Sequence, residues 1–275
     1  MRPLVLLALL PALSGAAGPL QIVNPILSQS EGGAPDPPGF EHVAGETLYL
    51  SCRISGYAKT EDSQVHLSYS VQPFDPKGVP LAELFGNGIS EELTSQDKEW
   101  MPKIETSLVI PPLVLPGTYK IVVKVEDQVA KASAELSVPF QVRGREVALS
   151  DVLVIRNFRL FRGESDTRPL AKPVYHAGES LWARFDITGF KLAENNRVDV
   201  SYVFSVLSAD GRVLYTQPEP AMEQSESFYP KRYVTAEFSL DLQRSVHPGE
   251  YTLAVQVKDA VGKQSYQAKY GFTVE

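Results

Sequence analysis

The segment "PGTYKIVVKVED" at 116–127 returns near the end of the chain as "PGEYTLAVQVKD" at 248–259. The two segments share the Pro-Gly start, the tyrosine, two valines and the final aspartate at matching positions. Apolar residues recur at every second position in both, which is the spacing of a β-strand with one buried face. Each segment therefore predicts the same strand, built once in each half of the chain.

The repeat extends well beyond this strand. "HVAGETLYLSCRISGY" at 42–57 matches "YHAGESLWARFDITGF" at 175–190, and "VHLSY" at 65–69 matches "VDVSY" at 198–202. Strand spacing continues through these segments, and turn sequences such as "DPKG" at 75–78 separate them. Start and stop signals of an amphipathic helix are missing throughout. The sequence predicts an all-β chain of two similar units, each with about seven strands.

A family resemblance rests on these motifs. The strand order, the "AGE" lead-in and the "PGxYxΦxVxVxD" strand resemble bacterial immunoglobulin-like, fibronectin type III-like and macroglobulin-like sandwich domains. The resemblance implies two tandem immunoglobulin-like antiparallel β-sandwiches, with Tyr119 and Tyr251 at the tyrosine corner. Tyr69 and Tyr202 stand where antibody-type domains carry a core tryptophan, and no disulfide pair is possible, so the antibody type is disfavoured.

The N-terminus predicts export. Residues 1–18 combine one positive charge, a short apolar run and small residues, which is typical of a signal peptide cleaved after Ala16, Ala17 or Gly18. The apolar run is too short to span a bilayer, so we expect no membrane insertion. The predicted divisions are a signal peptide at 1–18, a first sandwich at 19–143, a linker at 144–150 and a second sandwich at 151–275.

The net charge and the cysteine content limit the possible partners and the cellular compartment. The net charge is −7 and Lys and Arg do not cluster, which argues against nucleic acid and anionic membranes as partners. Cys52 is the single cysteine, so apolar packing alone must hold both units together. The chain also lacks an Asn-x-Ser/Thr acceptor, and together these features favour a bacterial secreted or periplasmic protein.

Sequence motifs for chemistry are missing. The chain has no GxSxG, SxxK or HExxH pattern, and its four histidines lack zinc-ligand spacing, so we expect no catalytic residue, metal or cofactor. Cys52 falls on an inward strand face, which favours a buried apolar role over a reactive thiol. Asp127 and Asp259 close the repeated strand without a calcium-type acidic cluster, so we interpret them as structural residues that open a hairpin.

Outward aromatic residues are the main binding candidates. Tyr49 and Trp182 are equivalent and face away from the core, where they could serve a ligand or be covered by a neighbouring segment. "WMPK" at 100–103 resembles "FYPK" at 228–231, and both lie in variable loops. An aromatic residue that closes one end of a sandwich would explain that pattern without a ligand. The candidate binding residues are Tyr49, Trp182, Trp100, Lys103, Phe228, Tyr229 and Lys231.

Three functions remain open on these observations. The leading one is a non-catalytic exported interaction or structural protein that binds a protein or surface partner through its loops or strand edges. A pair of carbohydrate-binding modules would use the exposed aromatics. An exported assembly chaperone would lend a strand edge to its partner. The sequence does not define an oligomeric state.

Overall fold

A computed structural model describes residues 18–275, and the predicted signal peptide lies outside this range apart from Gly18. The regular secondary structure of the described residues is nearly all β-strand, with one short 3-10 turn at Glu194–Asn196. The predicted fold class, two tandem all-β sandwiches, is confirmed. Strand boundaries and registers add details that the sequence pattern did not show.

The first sandwich packs a three-stranded sheet against a five-stranded one. The smaller sheet has the order β1-β3-β6 and the larger one the order β2-β8-β7-β4-β5. All of these pairs are antiparallel except the short edge pair of β2 with β8. The strands are β1 (Gln21–Ser28), β2 (Glu41–Val43), β3 (Thr47–Ser55), β4 (Gln64–Phe74), β5 (Phe85–Glu92), β6 (Lys103–Val109), β7 (Gly117–Asp127) and β8 (Ala132–Arg143).

The second sandwich repeats this plan with one more strand. Its smaller sheet has the order β15-β11-β9, and its larger sheet has the order β10-β17-β16-β12-β13 with β14 also paired to β12. The edge pair of β10 with β17 is again parallel. The strands are β9 (Val154–Phe161), β10 (Val174–Tyr175), β11 (Ser180–Thr188), β12 (Val198–Ser208), β13 (Val213–Thr216), β14 (Ala221–Ser225), β15 (Tyr233–Asp241), β16 (Gly249–Asp259) and β17 (Gln264–Val274).

The repeated segments form β7 and β16, each in the middle of its larger sheet. Their alternate apolar residues lie in the two cores, as strand periodicity requires. The Tyr119 hydroxyl donates to the Leu115 carbonyl at 2.6 Å, and the Tyr251 hydroxyl donates to the His247 carbonyl at 2.7 Å. These bonds have the short backward reach of a tyrosine corner and fix the chain as it enters each strand.

The aspartates at the far ends of these strands anchor two loops each. Both Asp127 and Asp259 are buried. One oxygen of Asp127 accepts from two main-chain amides of the following turn, and the other accepts from the Ala58 amide at 2.7 Å. Asp259 repeats the arrangement, with the Lys191 amide at 2.9 Å. Asp127 thus joins the loop after β3 to the β7–β8 hairpin, and Asp259 joins the loop after β11 to the β16–β17 hairpin.

A tyrosine of the second sandwich completes the core of the first. Tyr229 is 8% exposed and packs among the buried apolar residues of the first sandwich. Its hydroxyl donates to Asp75 at 3.0 Å. Asp75 is itself buried and also accepts the amides of Lys77 and Val79. Burial raises the pKa of Tyr229, so its phenol remains a proton donor. The junction therefore has a buried aromatic ring with a satisfied polar end.

The segment between the sandwiches is also held by polar contacts. Arg145 lies 3.1 Å from the carboxylate of Asp186, which is fully buried although strand alternation predicts an outward position. The Asn157 amide donates to Asp186 at 2.7 Å and to the Glu146 carbonyl at 3.1 Å. The Arg145 side chain, from the segment between the sandwiches, covers Asp186, which explains why this outward position is buried.

Two features of the variable loops differ from the sequence prediction. The sequence predicts variable loops at 84–103 and 215–232 around the two motifs, but β5 and β14 lie inside these segments. "WMPK" and "FYPK" both lie at or just before the start of a strand, β6 and β15, but in different registers: Arg53 pairs with Lys103, whereas its counterpart Asp186 pairs with Thr235. Lys103 is therefore level with Thr235, four positions after Lys231. The two motifs are alike in sequence but occupy different places in the sandwiches.

The Tyr229 contact predicts a specific loss of stability. Tyr229→Phe leaves the buried carboxylate of Asp75 without one donor, and we expect it to lower the free energy of unfolding by about 1–3 kcal/mol. Tyr229→Ala also removes the ring and should cost about 3 kcal/mol or more. Urea unfolding in a Trp182→Phe background, where Trp100 alone reports on the first sandwich, measures both effects.

Phe228 is the matched control for this experiment because it is adjacent and 50% exposed. Phe228→Ala should change the free energy of unfolding by no more than about 0.5 kcal/mol. Equal losses for Phe228→Ala and Tyr229→Ala would contradict the placement of Tyr229 in the first core.

Candidate functional site

The outer face of the β1-β3-β6 sheet carries a groove of about 500 Å³. Side chains alternate along a strand, so the residues between the core positions of β3 and β6 point away from the core and form the floor. Tyr49 pairs with Ser107, Ser51 with Glu105 and Arg53 with Lys103 across the two strands. Glu31, Gly33 and Phe85 also line the groove, which we call the outer groove.

The chemistry of the outer groove is polar with one aromatic surface. Lys103 and Glu105 form an ion pair, and Arg53 donates to the Met101 carbonyl at 3.2 Å. Tyr49 is half-buried, which leaves part of an aromatic side chain open beside these polar groups. Charged groups beside a partly open aromatic ring suit a surface that contacts another polar surface. They do not suit a cavity that buries a small molecule.

The same face of the second sandwich is closed by Arg184, which stands where the first sandwich has Ser51. Its guanidinium donates to the Asp166 carbonyl at 2.6 Å and also to the Glu164 carbonyl. The guanidinium lies 4.6 Å from the centroid of the Phe161 ring, a cation–π contact. Arg184 therefore holds the loop between β9 and β10 over the sheet, whereas the Ser51 side chain is too short to do so.

The predicted binding residues do not come together at one place. Tyr49 and Lys103 share the outer groove, whereas Trp182 is half-buried opposite Phe161 on the closed face. Trp100 packs edge-on against Tyr57 at 5.9 Å between ring centroids.

The remaining candidates lie near the junction of the sandwiches. Phe228 is exposed, and the Lys231 ammonium donates to the Ser225 hydroxyl at 2.6 Å. Tyr229, a predicted binding residue, is instead buried in the first core, so it does not offer its side chain to a partner. The junction thus uses one predicted binding residue for packing.

Sequence reasoning missed most of the groove floor. Ser51, Arg53, Glu105 and Ser107 are ordinary surface residues in the sequence, and their grouping depends on the register of β6 on β3. The usable signal was the difference between copies, because the repeat places Ser51 at the position of Arg184. A short side chain at one of two matched outward positions indicates where a face can remain open.

Neither a metal-binding cluster nor a membrane-length helix is found among residues 18–275. Residues 18–275 contain no group of three or more His, Cys, Asp or Glu side chains placed to hold a metal ion. Within the same range, no helix has the length and apolar character needed to cross a membrane. Cys52 is buried in the first core, and burial raises the pKa of its thiol to about 11.

Comparisons with known proteins give no family. No protein-family model matches the chain, and no curated protein matches it. Some solved structures resemble the chain. One is the C-terminal domain of the antigen I/II-family protein AspA from Streptococcus pyogenes, which is 10% identical and has a TM-score of 0.33. The alignment covers 92% of this chain and 99% of that chain. The C-terminal domain of the Streptococcus agalactiae AgI/II polypeptide BspA is 10% identical over 94% of this chain and 100% of that chain, with a TM-score of 0.32.

A third structure with some resemblance is an enzyme. It is a family 123 glycoside hydrolase from Clostridium perfringens, with 14% identity, 45% of this chain covered and a TM-score of 0.32. The aligned part of this chain spans only 27% of the hydrolase. At such low TM-scores none of these likenesses carries an argument about function.

The raised pKa of Cys52 predicts slow thiol chemistry. With a pKa of about 11, roughly one thiol in a thousand is ionised at pH 8, and the thiolate is the reactive form. We expect the native protein to react with a disulfide reagent far more slowly than the urea-unfolded chain does. The native rate should rise about tenfold per pH unit between pH 8 and 10, because deprotonation supplies the reactive species. A native rate equal to the unfolded rate would contradict the burial of Cys52.

The Arg184 contacts predict a local effect on the second sandwich. Arg184→Ala removes the bonds to the Glu164 and Asp166 carbonyls, so the amides between β9 and β10 should exchange with solvent faster while the core amides keep their protection. Hydrogen exchange read by mass spectrometry measures this change. Arg212→Ala is the matched control, because Arg212 is an exposed arginine of the same sandwich that lies in the hairpin between β12 and β13. Unchanged exchange in Arg184→Ala would show that other contacts close this face.

Proposed function

We propose that this chain is a non-catalytic binding protein that acts outside the cytoplasm and holds a protein or cell-surface partner in the outer groove. The observation that carries the proposal is that the groove is open in the first sandwich, whereas Arg184 closes the same face of the second. A scaffold that is repeated closely, with one face kept open in one copy, is the arrangement expected of a binding site built on a structural frame.

The chemistry of the groove supports binding rather than catalysis. Its charged groups are the Lys103–Glu105 pair, Arg53 and Glu31, all exposed, and its other polar groups are mainly hydroxyls. An activated nucleophile needs a base within hydrogen-bonding distance and a third group to orient that base. The residues that line the groove include no histidine, and Cys52 beneath its floor is buried with a raised pKa.

Two finer points belong to the same proposal. The extracytoplasmic location is supported by the signal-peptide pattern at 1–18. The relationship to bacterial immunoglobulin-like, fibronectin type III-like or macroglobulin-like domains is supported by the "AGE" lead-in and by the tyrosine-corner bonds of Tyr119 and Tyr251.

A saccharide is the second candidate ligand, and Tyr49 favours it. A partly open aromatic side chain beside hydroxyl and carboxylate groups is a common way to hold a sugar, since the ring covers the apolar face and the polar groups bond the hydroxyls. In the outer groove, Tyr49 lies beside Ser51, Ser107 and Glu105.

Charge reversal at the groove rim tests the main proposal. Immobilised protein is exposed to the exported proteins of the native source and to a glycan array, and Lys103→Glu should reduce specific binding about tenfold or more. Lys124→Glu is the matched control, because Lys124 is also an exposed lysine in a Lys–Glu pair but lies on the larger sheet. Loss of binding in Lys124→Glu with full binding in Lys103→Glu would reject the outer groove as the site.

Three aromatic substitutions test the saccharide alternative. Tyr49→Ala should abolish glycan binding, whereas Trp182→Ala on the closed face and Phe228→Ala near the junction should retain it. Circular dichroism must show native strand content in all three variants. Glycan binding that depends on Trp182 instead would move the site to the second sandwich.

A further inference from the structure

Each sandwich ends in a matched set of residues around its tyrosine corner. In the first sandwich Asp75 opens a turn closed by the Gly78 amide at 3.0 Å, and in the second Ser208 opens the same turn closed by the Gly211 amide at 2.9 Å. From this match, Leu81 is equivalent to Leu214, Val114 to Val246 and Tyr119 to Tyr251. We call these sets the first socket (Asp75, Leu81, Val114, Tyr119) and the second socket (Ser208, Leu214, Val246, Tyr251).

The first socket is filled. Tyr229 from the second sandwich packs in the same apolar cluster as Leu81, Val114 and Tyr119, and its hydroxyl bonds Asp75. Leu81 is 3% exposed, and Val114 and Tyr119 are also buried. One aromatic side chain on a loop is thus the occupant that this end of the sandwich accepts.

The second socket is open. Leu214 is 46% exposed, although its counterpart in the first socket is buried, and Val246 and Tyr251 are only half-buried. Together with Leu240, Leu242 and Phe272 they line a cavity of about 500 Å³, whose lining also includes the polar residues Ser239, Asp241 and Gln243. The cavity occupies the place that corresponds to the filled end of the first sandwich.

The polar ends of the two sockets differ. The Asp75 carboxylate accepts the phenol proton of Tyr229, but the Ser208 hydroxyl of the second socket donates to Asp210 and to the Arg212 carbonyl. A hydroxyl on the occupant therefore gains a buried carboxylate partner in the first socket, whereas the matching position of the second socket holds a serine that is already bonded locally. The second socket is suited to an aromatic ring whether or not the ring carries a hydroxyl.

We propose that the second socket binds an aromatic side chain carried on a loop of a partner protein, in the way that Tyr229 fills the first socket. The neighbouring β13 is an edge strand with exposed Val213 and Tyr215, so the partner can also pair with its main chain. This site is separate from the outer groove, which lies on the other sandwich.

A second copy of this chain is a poorer occupant. The first sandwich would have to present its own counterpart of Tyr229. When the offset of the paired strands β6 and β15 is continued back into the preceding loops, Asp97 falls at that position. Asp97 is half-buried, and its carboxylate accepts from the Thr94 amide at 2.8 Å. A carboxylate does not suit an apolar cavity, because burying it costs its hydration.

Small aromatic probes test the proposal on the whole mature chain. In methyl NMR spectra with p-cresol or toluene added to millimolar concentration, the methyl signals of Leu214, Leu242 and Val246 should shift in a saturable way. Those of Leu81 and Val114 in the filled socket should not move, which makes the first sandwich an internal control. The two probes should bind within about threefold of each other because the second socket does not require the hydroxyl.

Leu214→Glu should weaken probe binding at least tenfold, because it places a charge in the cavity wall. Val213→Glu is the matched control, since Val213 is exposed on the same strand and does not line the cavity. Leu214→Ala keeps the test decisive if the charged variant does not fold, and it should weaken binding more modestly.

Three results would overturn the proposal. The first is probe shifts at the first socket and not at the second. The second is equal probe binding in wild type, Leu214→Glu and Leu214→Ala. The third is concentration-dependent self-association in sedimentation velocity that Leu214→Glu abolishes and Val213→Glu does not, which would make a second copy the occupant.

Discussion

The whole molecule depends on apolar burial along one central strand in each sandwich. β7 and β16 lie in the middle of the larger sheets and place alternate side chains in the two cores. Cys52 is the single cysteine and is buried, so no intrachain disulfide adds to this packing. Tyr119 and Asp127 then fix the ends of β7 by hydrogen bonds to neighbouring loops, and their counterparts do the same for β16. The duplicated segment is conserved between the halves because each core needs it.

The two sandwiches share a frame but are closed at different places. The outer face is open in the first sandwich and covered in the second, where Arg184 holds a loop over it. The end near the tyrosine corner is filled by Tyr229 in the first sandwich and open in the second. Both differences arise from a few side chains on similar strands. Divergence after duplication has therefore changed which surfaces are exposed while the strand order stayed the same.

The sequence predicted the fold well because strand periodicity and internal repetition are local signals. The sequence itself shows the alternation along β3 and β11, the Pro-Gly turns and the paired tyrosines. The outer groove was only partly visible: Tyr49 and Lys103 were candidates, but Arg53, Glu105 and the two serines join them only through cross-strand register. Register also separates the "WMPK" and "FYPK" motifs. Lys103 is level with Thr235, so the similar residue Lys231 lies four positions away from the matching place. The role of Tyr229 was hidden because its partner Asp75 lies in the other half of the chain.

The position of Tyr229 has a consequence for the order of folding. The residue that completes the first core lies 154 positions after its partner Asp75, so it is synthesised after nearly all of the first sandwich. Contacts between such distant positions form late, because a long loop must close before they give any stability. A chain that emerges from its N-terminus builds the first sandwich with an unfilled end, and that end exposes apolar surface until the second sandwich arrives. Biogenesis of the first half therefore depends on the arrival of the second. Truncation between β14 and the C-terminus would damage a core whose other residues, Leu48 to Val142, all lie upstream of the cut.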